Sequence, residues 1–86
     1  MPWAISWLGA TRGHLQRLAR ERFLGLSDAA QAIVQKVEEE IKQHPLPAPD
    51  LPQVRGEQSL SLGAIEVVYY LDSLTGEAEV RNVSLR

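Results

Sequence analysis

The spacing of apolar positions along the chain changes from two to about 3.6 and back to two, and each stretch predicts one kind of element. Trp3, Ile5 and Trp7 alternate with Ala4 and Ser6, which predicts a short first strand over residues 3–8. Two tryptophans on one face of that strand are expected to be core anchors. Gly9 ends the strand. Leu15, Leu18, Ala19 and Phe23 then recur at helical spacing. They predict a first helix from near Arg12, with the Thr11 hydroxyl accepting a free backbone N–H and Gly25 as the stop.

Ser27 is expected to begin a second helix as its cap, with Asp28 placing negative charge in the first turn. Ala30, Ile33, Val34, Val37 and Ile41 form its apolar stripe. Lys36 with Glu40 and Glu38 with Lys42 are i, i+4 pairs, each worth a few tenths of a kcal/mol. Lys42 and His44 suit the negative end of the helix dipole, and Pro45 ends the helix. The proline-rich segment 45–56, PLPAPDLPQVRG, excludes a helix or a central strand. It is expected to run extended over the surface, tacked down by Leu46, Leu51 and Val54, with a proline-rich ligand for a partner domain as the alternative.

From Glu57 the period is two again. Leu60 and Leu62 alternate with serines, and Gly63-Ala64 reads as a tight turn. Ile65, Val67, Tyr69 and Leu71 alternate with Glu66, Val68 and Tyr70, a run apolar enough on both sides to predict a central strand. Asp72 to Gly76 reads as a second turn. Ala78 and Val80 then hold one parity and Val83 and Leu85 the other, so a bulge near Arg81-Asn82 is expected to return both pairs to one face.

The expected fold class is therefore α+β in one domain spanning residues 1–86. Two N-terminal helices pack on a mostly antiparallel four-stranded sheet, in the order β-α-α-β-β-β. The last three strands form a meander, and the first must pair with a strand distant in sequence.

Composition narrows the class. A chain of 86 residues buries only about 60–65% of its unfolded surface. The absence of cysteine excludes a disulfide scaffold, a thiolate metal site and a cysteine nucleophile. No apolar run approaches the roughly 20 residues needed to span a bilayer. The apolar start, Met1 to Ala10, has no positively charged leader and reads as structure. A soluble, cytoplasmic protein without membrane contact is expected.

The net charge is −2, so the chain as a whole exerts no pull on nucleic acid. Charge is nevertheless uneven. Arg12, Arg17, Arg20 and Arg22 lie close together, and Glu38, Glu39 and Glu40 form an acidic run. Both read as solvated helix surface, with Arg12, Arg17 and Arg20 as the sharper candidates for binding a partner or an anion.

The segments "WAISWLGATRGHLQRL", "IKQHP", "LSLGAIEVVYYLD" and "AEVRNVSLR" are similar, in element order and hydrophobic positions, to the RelE/ParE superfamily of type II toxins. That resemblance implies a bacterial toxin neutralised by a cognate antitoxin. One branch of the superfamily cleaves messenger RNA at the ribosome, and another poisons DNA gyrase without being a nuclease. Ser59, Ser61 and Glu66 stand where family strands often carry arginines. Arg86 matches an arginine of the closing strand.

RNA cleavage by 2′-hydroxyl attack needs a base, an acid and cations on the phosphate. Arg55, Arg81 and Arg86 are the candidate phosphate-stabilising residues. His14 or His44 is the candidate base and Tyr69 or Tyr70 the candidate proton donor. Both histidines are expected on helices away from the sheet, and the tyrosines are expected to pack with wet hydroxyls. No cofactor and no metal site is expected, since no ligand spacing is present. Two functional readings stand side by side: a toxin acting on RNA or gyrase with an antitoxin as protein partner, and a non-catalytic protein-interaction module on the same scaffold.

Overall fold

The computed structural model describes residues 3–23, 28–44 and 55–85. The element order is β1 (Ala4–Trp7), α1 (Thr11–Arg22), α2 (Ala29–Lys42), β2 (Arg55–Leu62), β3 (Ile65–Asp72) and β4 (Glu77–Leu85). This is the expected β-α-α-β-β-β order on a four-stranded sheet. Across that sheet the strands run β1-β4-β3-β2. β2 with β3 and β3 with β4 are antiparallel, whereas β1 lies parallel to β4, with Ala4 opposite Glu77 and Trp7 opposite Val80. The first strand thus finds its neighbour at the far end of the sequence.

Alternation along β3 decides which face is covered. Ile65, Val67, Tyr69 and Leu71 are buried, and Glu66, Val68, Tyr70 and Asp72 are only half-buried. The buried row meets Leu15, Leu18 and Ala19 of α1 and Ile33, Val34, Val37 and Ile41 of α2 in one core. Leu15, Val37, Ile41, Ile65 and Leu71 are completely inaccessible, each worth roughly 1.5–3 kcal/mol of burial. Trp3 joins this core, and Ile5 and Trp7 pack against it.

The phase slip in β4 is a bulge. Val68 faces Asn82 and Tyr69 faces Val80, so Arg81 is the extra residue. Val80 and Val83 are both buried as a result. The Gly63-Ala64 hairpin loop is also as expected, and Gly63 takes a φ of 62°, a left-handed conformation that side chains resist.

The helix starts differ from expectation. Ala10, not Thr11, occupies the cap of α1, and the Thr11 hydroxyl donates to the Leu8 carbonyl at 2.8 Å. Asp28 is the cap residue of α2 and not part of its first turn, and its side chain makes no capping bond. Ala29 is the buried alanine at that end, while Ala30 is half-buried, because a methyl group fits either position. Lys36 pairs with Glu40 at 3.3 Å, but Glu38 and Lys42 form no ion pair. Arg55 and Gly56 belong to β2 and not to the proline-rich segment. Gly25, Ser27, segment 45–54 and Arg86, each given a role above, lie outside the described residues. No helix among the described residues is long and apolar enough to cross a membrane.

Candidate functional site

Helices cover one side of the sheet, and among the described residues no element covers the other, here called the bare side. Strand register places Arg55, Glu57, Ser59 and Ser61 of β2 on the bare side, beside Asp72, Tyr70, Val68 and Glu66 of β3. Glu77, Glu79, Asn82 and Ser84 of β4 join them. Arg81 turns to the same side through the bulge, because its guanidinium carbon sits 4.2 Å from the centre of the Tyr70 ring. Two of the three candidate phosphate-binding arginines therefore share this face.

They do not converge. Arg55 and Arg81 are two strands apart, roughly 10 Å, and displaced along the strands by about another 13 Å between backbones. Each is already engaged by a carboxylate. Arg55 Nε lies 3.7 Å from Asp72 Oδ1, and Arg81 Nε donates to Glu79 Oε1 at 3.0 Å. Both pairs are partly exposed, so each is worth under about 1 kcal/mol, but both reduce the positive potential left for a phosphate. Among the described residues Glu57, Glu66, Asp72, Glu77 and Glu79 outnumber Arg55 and Arg81 on the face, which gives it a negative field. A shallow depression of about 160 Å³ lies there, lined by Tyr70, Asp72, Glu77, Glu79 and Arg81.

The candidate acid and base meet on the covered side instead. His44, just past the end of α2, is hydrogen-bonded through Nε2 to the Tyr69 hydroxyl at 2.6 Å. In one tautomer the phenol donates to the imidazole, and in the other the imidazole N–H donates to the phenol oxygen. The rings meet edge to face with centroids 5.7 Å apart. The Trp3 indole N–H donates to the His44 carbonyl at 2.7 Å. The expectation that both histidines stay away from the sheet is thus wrong for His44, because the turn after Lys42 folds it down onto β3. Tyr69 is 3% exposed, and its hydroxyl is hydrogen-bonded to His44. Burial, with the Glu40 carboxylate as a smaller cause, raises the Tyr69 pKa above its ordinary value of 10.0. A phenol held protonated, on the opposite side of the sheet from Arg55 and Arg81, is not placed to serve them in one reaction.

On α1, Arg12, Arg17 and Arg20 are all exposed. Arg20 lies between the other two around the helix, about 60° from Arg17 and about 80° from Arg12, so the three spread over an arc of about 140°. Arg17 Nη2 donates to His14 Nδ1 at 2.8 Å, which ties His14 to this surface. Another concavity is apolar, about 350 Å³, and lined by Phe23, Ala29, Ala32, Ile33, Lys36 and Leu62.

No family model, curated protein or solved structure matches the chain. The site therefore rests on its own chemistry. Among the described residues no buried side-chain polar atom lacks a partner, and no group of His, Asp and Glu side chains converges as metal ligands would. The carboxylates that engage the arginines were not among the residues the sequence singled out. The signal for one was present: Glu79 and Arg81 are two apart on a strand, a spacing that puts side chains on one face. Asp72 faces Arg55 only because of a register that no local pattern announces.

Proposed function

We propose that this chain is a toxin-like component of a bacterial type II toxin–antitoxin pair, similar to the RelE/ParE superfamily, that acts through protein contact and is neutralised by an antitoxin. The observation that carries the choice of mode is the charge of the bare sheet face. Arg55 and Arg81 are each held by a carboxylate, and the surrounding glutamates repel a polyanion. The separation of the His44–Tyr69 pair from these arginines, on the other side of the sheet, adds to it. Together they favour the gyrase-directed branch over messenger RNA cleavage. The second reading, a non-catalytic interaction module on the same scaffold, draws on the same acidic face and differs in predicting no toxicity.

The test is induced expression in a bacterial host. Growth arrest, relieved by co-expression of a small neighbouring gene, is the expected result, with inhibited supercoiling by purified gyrase. The Arg55→Ala, Arg81→Ala double variant is expected to arrest growth as the parent does. Normal growth at high soluble expression overturns the toxin reading in favour of the interaction module. Arrest that disappears in the double variant, together with cleaved messenger RNA, restores the nuclease.

A further inference from the structure

The bare face has a pattern of its own beyond its sign. Asp72 stands directly opposite Glu77 across the β3–β4 ladder, and Arg55 on the other flank offsets the charge of Asp72 but makes no ion pair with Glu77. In the next row, Tyr70 lies between Glu57 on β2 and Glu79 on β4. Glu57 and Glu77 make no ion pair and no side-chain hydrogen bond within the described residues. The depression between these rows has an aromatic ring on its lining and carboxylates around it. One guanidinium already shows how that chemistry works, since Arg81 stacks on Tyr70 and bonds Glu79 at the same time.

We propose that this face docks a basic segment of a partner protein, one of whose Lys or Arg side chains enters the depression between Tyr70, Asp72, Glu77 and Glu79. The inference rests on the protein-directed reading above and names the chemistry of the partner. Charge complementarity selects this occupant. RNA meets a field of its own sign. A metal ion finds no convergent ligands among the described residues. A second copy docking face to face would set the same carboxylates against each other. A cationic segment instead supplies counter-charges to Glu57 and Glu77, which Arg55 and Arg81 leave unpaired. Attraction of this kind is screened by salt, so the contact is expected to weaken as ionic strength rises.

The experiment titrates the isotope-labelled full chain with a short peptide of alternating arginine and serine, and separately with a single-stranded RNA of mixed sequence, following backbone amide shifts. The expected result is that the peptide moves amides in 55–61, 66–72 and 77–84 and that RNA moves none of them. Glu77→Gln with Glu79→Gln, and independently Tyr70→Leu, are expected to weaken the peptide by about fivefold or more. Glu38→Gln with Glu39→Gln, which removes the same charge from α2, is expected to change affinity by less than about twofold. Equal losses in the two double-glutamate variants would reduce the effect to bulk charge and overturn the proposal. So would shifts centred on α2, RNA binding to the sheet, or concentration-dependent shifts of the same face in the protein alone. Growth arrest without peptide binding removes this surface and leaves the toxin reading intact, whereas peptide binding without arrest does the reverse.

Discussion

The His44 imidazole and the Tyr69 hydroxyl, 2.6 Å apart, join the end of α2 to the middle of the sheet. The Trp3 indole holds the carbonyl of the same histidine, so β1, α2 and β3 are tied at one residue. Apolar packing alone leaves the sliding of a helix along a sheet weakly opposed, because burial is non-directional. A directional bond at the end of the helix sets its position. The polar groups involved are largely withdrawn from water, which makes losing a partner costly.

Tyr69→Phe is therefore expected to destabilise the fold by about 1–2 kcal/mol, although the ring and its packing remain. Urea unfolding followed by tryptophan fluorescence measures it. A midpoint equal to that of the parent would show that the bond contributes nothing net.

The same phenol sets an alkaline limit. Its pKa is raised in the folded state, so above about pH 10 the folded protein holds a proton that the unfolded chain has lost. Its contribution is complete below pH 10 and fades as pH climbs through the folded-state value, with a slope approaching about 1.4 kcal/mol per pH unit. Tyr69→Phe is expected to flatten that limb of the stability profile. An unchanged slope between the two proteins would assign the alkaline loss to other groups.

Much of this architecture was legible because single-face burial imposes a period. The stripe from Ile33 to Ile41 and the alternation from Ile65 to Leu71 follow directly from one covered side each. The bulge was legible for the same reason, since Val80 and Val83 share a face only if one residue is looped out. The parallel pairing of β1 with β4 was not, because both candidate edges offer similar backbone groups and the choice is made by tertiary packing. Nor was the His44–Tyr69 bond, which depends on where the chain turns after Lys42. In the candidate site, the arginines were visible as residues but their carboxylate partners were set by register.

Gly63→Ala is expected to cost about 1–2 kcal/mol. A methyl group there meets no atom within 4 Å, so the penalty comes from the φ of 62° alone. Thermal unfolding measures it. Gly63→Asn, whose side chain tolerates the left-handed region better, is expected to recover part of the loss.

Arg81→Ala removes the contact with Tyr70 and the bond to Glu79, for an expected loss of about 0.5–1 kcal/mol. Arg81→Lys keeps the charge but not the planar stacking, and is expected to fall between the two. A double-mutant cycle with Tyr70→Leu isolates the ring contact, and a coupling energy of zero would remove it.

The pairing of β1 with β4 has a consequence for how the chain is made. Residues Ala4 to Trp7 leave the ribosome ahead of the other elements, yet the backbone partners they need, Glu77 to Val80, are synthesised after both helices and the other two strands. Until then Trp3, Ile5 and Trp7 have no sheet to join. Closing the sheet is a long-range step, of the sort that slows folding. A nascent chain halted before β4 would carry an unsatisfied tryptophan-rich strand, a natural target for a chaperone at the exit tunnel.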